Sequence, residues 1–177
     1  MVEVRVAGVA IDSTGQHVIL LKPVDAPEGE GSVVPIWIGA QEATSILVAV
    51  ENATTPRPLA HDLMRSMIEN LGATVARVEV TRIEEGTFFA EITLTAADGE
   101  HTIDARPSDA VALAARVGAA IEVAEAVFDE AGMPDMLGEA DDEDAASEAS
   151  GMPAGELPKV DDFMKFLDEV DPEDFRG

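Results

Sequence analysis

Within the stretch Ile103–Gly118 (IDARPSDAVALAARVG), a strand must give way to a helix inside a single turn. Thr102–Ala105 ends a strand pattern, and a helix starts from Ser108. Pro107 biases Arg106 toward extended backbone. The Ser108 hydroxyl is a natural N-cap acceptor for an orphan N–H. Ala110, Val111, Leu113, Ala114 and Val117 then form an apolar helical face, with Gly118 placed to terminate it. Three charges, Asp104, Arg106 and Asp109, crowd the junction. Two carboxylates and a guanidinium at such a turn suit a cation, a phosphate or both. The structural alternative pairs Asp104 with Arg106 and leaves Asp109 to favour the helix N-terminus.

A second junction repeats this chemistry. Thr55–Leu63 (TPRPLAHDL) carries an Arg-Pro pair ahead of a helix that stops at Gly72. Its expected core face is Leu63, Met64, Met67, Ile68 and Leu71. His61, Arg65 and Glu69 follow at i, i+4 spacing on the other side. An isolated histidine at a helix start is ordinarily solvated or a cap. Asp62 beside it and Arg57 upstream make His61 a candidate site residue instead.

The remaining pattern predicts an α+β fold: an antiparallel or mixed twisted sheet with helices packed on it, plus a flexible acidic C-terminal tail. Val2–Val6 alternates with period two, and His17–Leu21 and Val33–Ile38 read as further strands. Gln41–Asn52 reads as a helix with Ala43, Ile46, Leu47 and Val50 inward and Glu42, Ser45 and Ala49 outward. Ala73–Ile83, Thr87–Thr95 and His101–Ala105 predict three antiparallel strands, with turns at Glu85-Gly86 and Asp98-Gly99. Ala120–Val123 is a short final strand, and Trp37 is expected in the core.

This divides the chain into a body over 1–134, an acidic linker over 135–158 and a short amphipathic segment over 159–177. The linker mixes Gly, Ala, Ser and Pro with an acidic run at Asp141–Asp144. Beyond it, Val160, Phe163, Met164, Leu167 and Val170 recur at helical spacing. Such a segment either folds back onto the body or docks on a protein partner. Its acidic polar side argues against an anionic membrane surface.

Charge sets the sharpest constraint on function. The chain carries 11 Lys+Arg against 36 Asp+Glu, a formal charge of −25. Residues 135–177 hold 15 acidic and three basic groups, so residues 1–134 still carry a formal −13. A generic nucleic-acid binder shows a basic face that releases counterions from phosphates; here any contact with nucleic acid needs a local arginine cluster or bridging cations. With no cysteine, disulfides, thiolate zinc sites and cysteine nucleophiles are excluded. The chain shows no phosphate-loop, GxGxxG or HExxH motif, and Ser108 lies in RPSDA rather than a GxSxG elbow. No apolar run reaches membrane-spanning length and the N-terminal stretch lacks a basic signal region, so the expected location is cytoplasmic.

Four blocks in order carry a more specific reading: PIWIG (Pro35–Gly39), RPLAHDLM (Arg57–Met64), EGTFFAEI (Glu85–Ile92) and IDARPSDAVALA (Ile103–Ala114). Together they resemble the bifunctional nuclease family from about Val2 to about Val127. The resemblance implies a homodimer and an enzyme that hydrolyses phosphodiester bonds in RNA and DNA. On the matched positions, the expected catalytic residues are Asp104, Asp109, His61 and Asp62, with Arg57 and Arg106 as phosphate clamps. Asp104, Asp109 and Glu42 are the expected ligands for a Mg²⁺ or Mn²⁺ ion that would activate water. The competing reading is a non-catalytic dimeric interaction module, in which the Arg-Pro turns and their acidic neighbours fix helix starts and the acidic tail docks on a partner protein.

Overall fold

The computed structural model describes residues 1–27 and 29–135. They form one mixed sheet of eight strands with four helices, an α+β arrangement. The strands are β1 (Val2–Ile11), β2 (His17–Pro23), β3 (Ser32–Ile38), β4 (Thr74–Glu84), β5 (Thr87–Ala96), β6 (Gly99–Ala105), β7 (Ala120–Val123) and the two-residue β8 (Met133–Pro134). Their order across the sheet is β6-β5-β4-β7-β1-β2-β3-β8. Every neighbouring pair is antiparallel except β4 and β7, which run parallel. The β4–β5 hairpin closes on Glu85 and Gly86, both at positive φ, as a two-residue turn matching the strand twist requires.

The helices are α1 (Ala40–Val50), α2 (Ala60–Asn70), α3 (Pro107–Val117) and α4 (Glu125–Ala131). The central helix is α3, which touches α1, α2 and strands β4, β5 and β7. Its run of Ala110, Val111, Ala112, Leu113 and Ala114 is buried, and the small side chains let its neighbours approach closely. Gly118 caps it at φ 69°, a left-handed position that suits glycine. The main core joins Ile19, Leu21, Val78, Val80, Val111 and Leu113 between helices and sheet, and a smaller cluster of Val18, Leu20 and Val33 lies apart from it.

Several expectations are corrected. Ser108 is not the N-cap of α3: Arg106 takes that place in extended backbone, Pro107 opens the helix, and Ser108 is buried. Pro107 dictates this, because proline fits the first helical position, where its missing N–H costs no bond. Trp37 is 48% exposed rather than in the core, and its indole N–H donates to Asp12 Oδ2 at 2.9 Å. Most of the apolar stripe of α2 points the other way: Leu63, Met64, Met67 and Leu71 are exposed, Ile68 alone of the expected face packs against the core, and His61 is the buried residue of that helix.

Asp135, counted above with the tail, belongs to the body. On β2, Val18, Leu20 and Lys22 alternate with Ile19 and Leu21, and all five are buried. Lys22 donates to the Pro27 carbonyl and to the Asp135 carboxylate, which also accepts the Gly29 N–H at 3.2 Å. A buried ammonium needs such partners, since an unpaired charge in that position is strongly unfavourable. The linker beyond Asp135 and the amphipathic segment lie outside the described residues.

Candidate functional site

Three helix starts meet on one side of the sheet, and each carries an acid in its first turn: Glu42 on α1, Asp62 on α2 and Asp109 on α3. Carboxylates in a first turn are favoured by the positive end of the helix, and Asp62 also accepts the Leu59 N–H at 2.8 Å. Two arginines knit the three acids together. Arg106 grips Asp109 with both forks, Nε to Oδ2 at 2.7 Å and a terminal N–H to Oδ1 at 3.1 Å. Its other terminal nitrogen lies 2.9 Å from Glu42 Oε1. Arg116, two turns further along α3 on the same face, donates to Asp62 Oδ1 at 2.7 Å and to Ser45 Oγ at 3.0 Å.

His61 bridges these two halves. Its Nδ1 lies 2.8 Å from Ser45 Oγ and its Nε2 lies 3.1 Å from Asp109 Oδ1. The network assigns the tautomer. The Asp109 carboxylate can only accept, so Nε2 carries the hydrogen and donates to it; in the neutral ring Nδ1 is then the acceptor, and Ser45 Oγ, which accepts from Arg116, donates to it. A continuous chain of polar contacts therefore runs Asp62–Arg116–Ser45–His61–Asp109–Arg106–Glu42. Its inner members are dry, with His61 only 6% exposed, whereas the Arg106 side chain is 65% exposed.

The electrostatics follow from these partners. Burial pushes the Asp109 carboxyl up, but hydrogen bonds from Arg106 and His61 outweigh it and hold the group below its ordinary value of 3.8. Asp62 behaves alike: burial is outweighed by the Leu59 N–H and the Arg116 guanidinium, and the result is again lowered. Arg106 is raised above the usual arginine range, chiefly by its hydrogen bond and charge contact with Asp109. Gly39 completes the arrangement. The Glu42 carboxylate folds back over it, so closely that a β-carbon on residue 39 would collide with Oε2.

The expected site residues thus separate into two groups. Glu42, His61, Asp62, Arg106 and Asp109 are drawn together, although they come from three helices. Asp104 stands apart: it is exposed on edge strand β6, opposite Glu91 of β5, and Arg106 pairs with Asp109 and Glu42 rather than with it. Arg57 is exposed in the loop before α2 and makes no ion pair among the described residues. Two members of the network were not expected, Ser45 and Arg116. Arg116 was legible as the residue seven after Asp109, hence on its face of α3; Ser45 carried no comparable signal.

The donor set does not fit the expected Mg²⁺ or Mn²⁺. Glu42 and Asp109 already share a guanidinium, Asp104 is separate, and among the described residues no three His, Asp or Glu side chains group as metal ligands. A cavity of about 500 Å³, lined by Arg5, Asn52 and Gly118 among others, lies at the C-terminal ends of α1 and α3, and no member of the network lines it. Among the described residues no helix is long and apolar enough to cross a membrane.

Residues 19–136 match the sequence profile of the bifunctional nuclease domain. An uncharacterized protein of Mycobacterium tuberculosis strain H37Rv is 38% identical over 178 residues, covering 100% of this chain and 99% of that protein. Bifunctional nuclease 1 of Oryza sativa subsp. indica is 29% identical over 115 residues, 63% of this chain and 34% of the rice protein. Bifunctional nuclease 2 of Arabidopsis thaliana is 30% identical over 108 residues, 59% of this chain and 32% of that protein. The chain spans about a third of the length of these plant relatives.

Proposed function

The chain belongs to the bifunctional nuclease domain family, and on that premise we propose that it hydrolyses phosphodiester bonds in RNA and DNA at the junction of the three helix starts. The observation that carries this reading is Arg106: an exposed guanidinium held ready by two carboxylates, with a buried histidine behind one of them. Arginine matches a phosphate with the same fork that it offers a carboxylate. A phosphate arriving at Arg106 therefore competes with Asp109 for the same N–H groups. Arg57, unpaired among the described residues and preceding α2, is the second phosphate contact in this scheme.

The exchange has a chemical consequence. Arg106 is what chiefly holds the Asp109 carboxyl low. When the guanidinium turns to phosphate, Asp109 becomes more basic, at the moment a water must be deprotonated. Asp109 then accepts the proton of the attacking water as general base; as the water oxygen bonds to phosphorus, the bond from phosphorus to the leaving ester oxygen breaks, and that oxygen takes a proton from solvent. His61 keeps its Nε2–H on Asp109 Oδ1 and fixes the other carboxylate edge, while Ser45 and Arg116 hold the imidazole in its tautomer. His61 is a positioning residue here, and Asp62 acts one step further back by anchoring Arg116. No step passes through a metal ion.

A second reading has its own support. Every carboxylate of the network is already paired with a guanidinium, as in a purely structural clamp on three helix starts, and that favours a non-catalytic interaction module. Cleavage of single-stranded RNA and DNA by the purified chain, compared with Arg106→Ala, separates the two. The hydrolase reading expects cleavage that falls at least tenfold in the variant; the clamp reading expects none in either.

A further inference from the structure

Helix α2 turns an apolar stripe to the outside. Leu63, Met67 and Leu71 succeed one another at i, i+4 and i+8, with Met64 beside them, and their exposures run from 41% to 82%. Single exposed apolar residues are ordinary, but four on one helical face mark a contact surface. We infer that the occupant is this chain's own segment 160–170, which docks intramolecularly along α2; the inference does not depend on the hydrolase reading.

Two observations select that occupant. The segment carries a matching stripe, Val160, Phe163, Met164, Leu167 and Val170, over the same length as the 11 residues of α2. Its tether is well placed: Asp135 is pinned to the buried Lys22, and 24 residues, 136–159, separate it from the stripe. A coil of that length spans roughly 27 Å, against a radius of gyration of about 14 Å for a body of this size. The segment therefore reaches α2 at the high effective concentration of a short tether.

Because the chain has no cysteine, the contact can be tested on the full-length protein with introduced pairs. Leu71→Cys with Leu167→Cys is compared with a control pair, Thr87→Cys with Leu167→Cys, using a short bismaleimide cross-linker; Thr87 is exposed at the far end of the β4–β5 hairpin from Thr74 and Leu71. The docked arrangement gives an intrachain cross-link at a rate independent of protein concentration and at least tenfold faster than in the control. Phe163→Asp added to the first pair should bring its rate down to that of the control. Equal rates for the two pairs overturn the inference. So do cross-links that form only between chains and speed up with concentration, which would assign the stripe to a second copy.

Discussion

His61 Nε2 stands 3.1 Å from Asp109 Oδ1 across 48 residues of sequence, and this contact joins α2 to α3. Its imidazole is also tied to α1 through Ser45. One side chain thus couples three helix starts whose acids would otherwise repel one another. The two arginines make the cluster tolerable, since their hydrogen bonds and charge outweigh the burial that would raise Asp62 and Asp109.

Gly39→Ala tests how far Glu42 matters. The backbone at residue 39 is extended, at φ −74°, and accommodates alanine. What the new methyl meets is the far end of the Glu42 side chain, which must swing away and release Arg106. The expected result is a folded protein within about 1 kcal/mol of the parent in stability, with Arg106 freed on that side and phosphate affinity raised. Unchanged phosphate binding by calorimetry would show that the Glu42–Arg106 pair does not restrain the guanidinium.

Acid should loosen the cluster in a defined direction. Asp62 and Asp109 are both lowered in the folded state from an ordinary value of 3.8, so the unfolded chain binds more protons in that range. Their contribution to stability is therefore complete above about pH 4 and is lost as pH falls through the folded values. Urea midpoints measured from pH 6 down to pH 2 should drop below pH 4 in the parent and drop less in Asp62→Asn. Parallel curves for the two proteins would contradict this.

The Lys22–Asp135 pair predicts where the body ends. Lys22→Met leaves a buried carboxylate without its ammonium and should cost about 3–5 kcal/mol, whereas adding Asp135→Leu should recover most of that. Truncation after Asp135 should leave the melting temperature near that of residues 1–177, and truncation after Gly132 should lower it sharply. Equal melting temperatures for the two truncations would place the boundary elsewhere.

Cation binding follows from the donor set. With Glu42 and Asp109 committed to Arg106, millimolar Mg²⁺ or Mn²⁺ should leave the melting temperature unchanged, because a ligand that does not bind the folded state cannot stabilise it. A rise of several degrees that disappears in Asp109→Asn would reveal a metal site at this junction.

Much of the architecture was legible because it rests on local chemistry. The period-two strands, the Glu85-Gly86 turn and the Gly118 terminator are each dictated by a few adjacent residues. Orientation was not. The periodicity of α2 identifies an apolar face but not the side on which the body lies; burial of His61 against Ser45 and Asp109 turns that face outward. Helix α4 is short, and EAVFDEA offers too little periodicity to announce itself. For the site, residue types at helix starts pointed to Glu42, His61, Asp62, Arg106 and Asp109. Asp104 shared their local pattern, yet the strand it ends runs along the sheet edge. Trp37 shows the same limit: a lone tryptophan in an apolar block reads as core, and only the distant Asp12 explains its exposure.

The central claim, that Asp109 is the general base of a phosphodiester hydrolase, is tested most directly by cleavage rates of a defined single-stranded RNA and its DNA counterpart. Parent, Asp109→Asn and Asp104→Asn are compared after purification, each shown by its melting curve to be folded. The account predicts that Asp109→Asn loses roughly 10²–10⁴-fold in rate, the range of general-base contributions, while Asp104→Asn stays within about threefold of the parent. Cleavage undiminished in folded Asp109→Asn, or no cleavage by the parent, would contradict it.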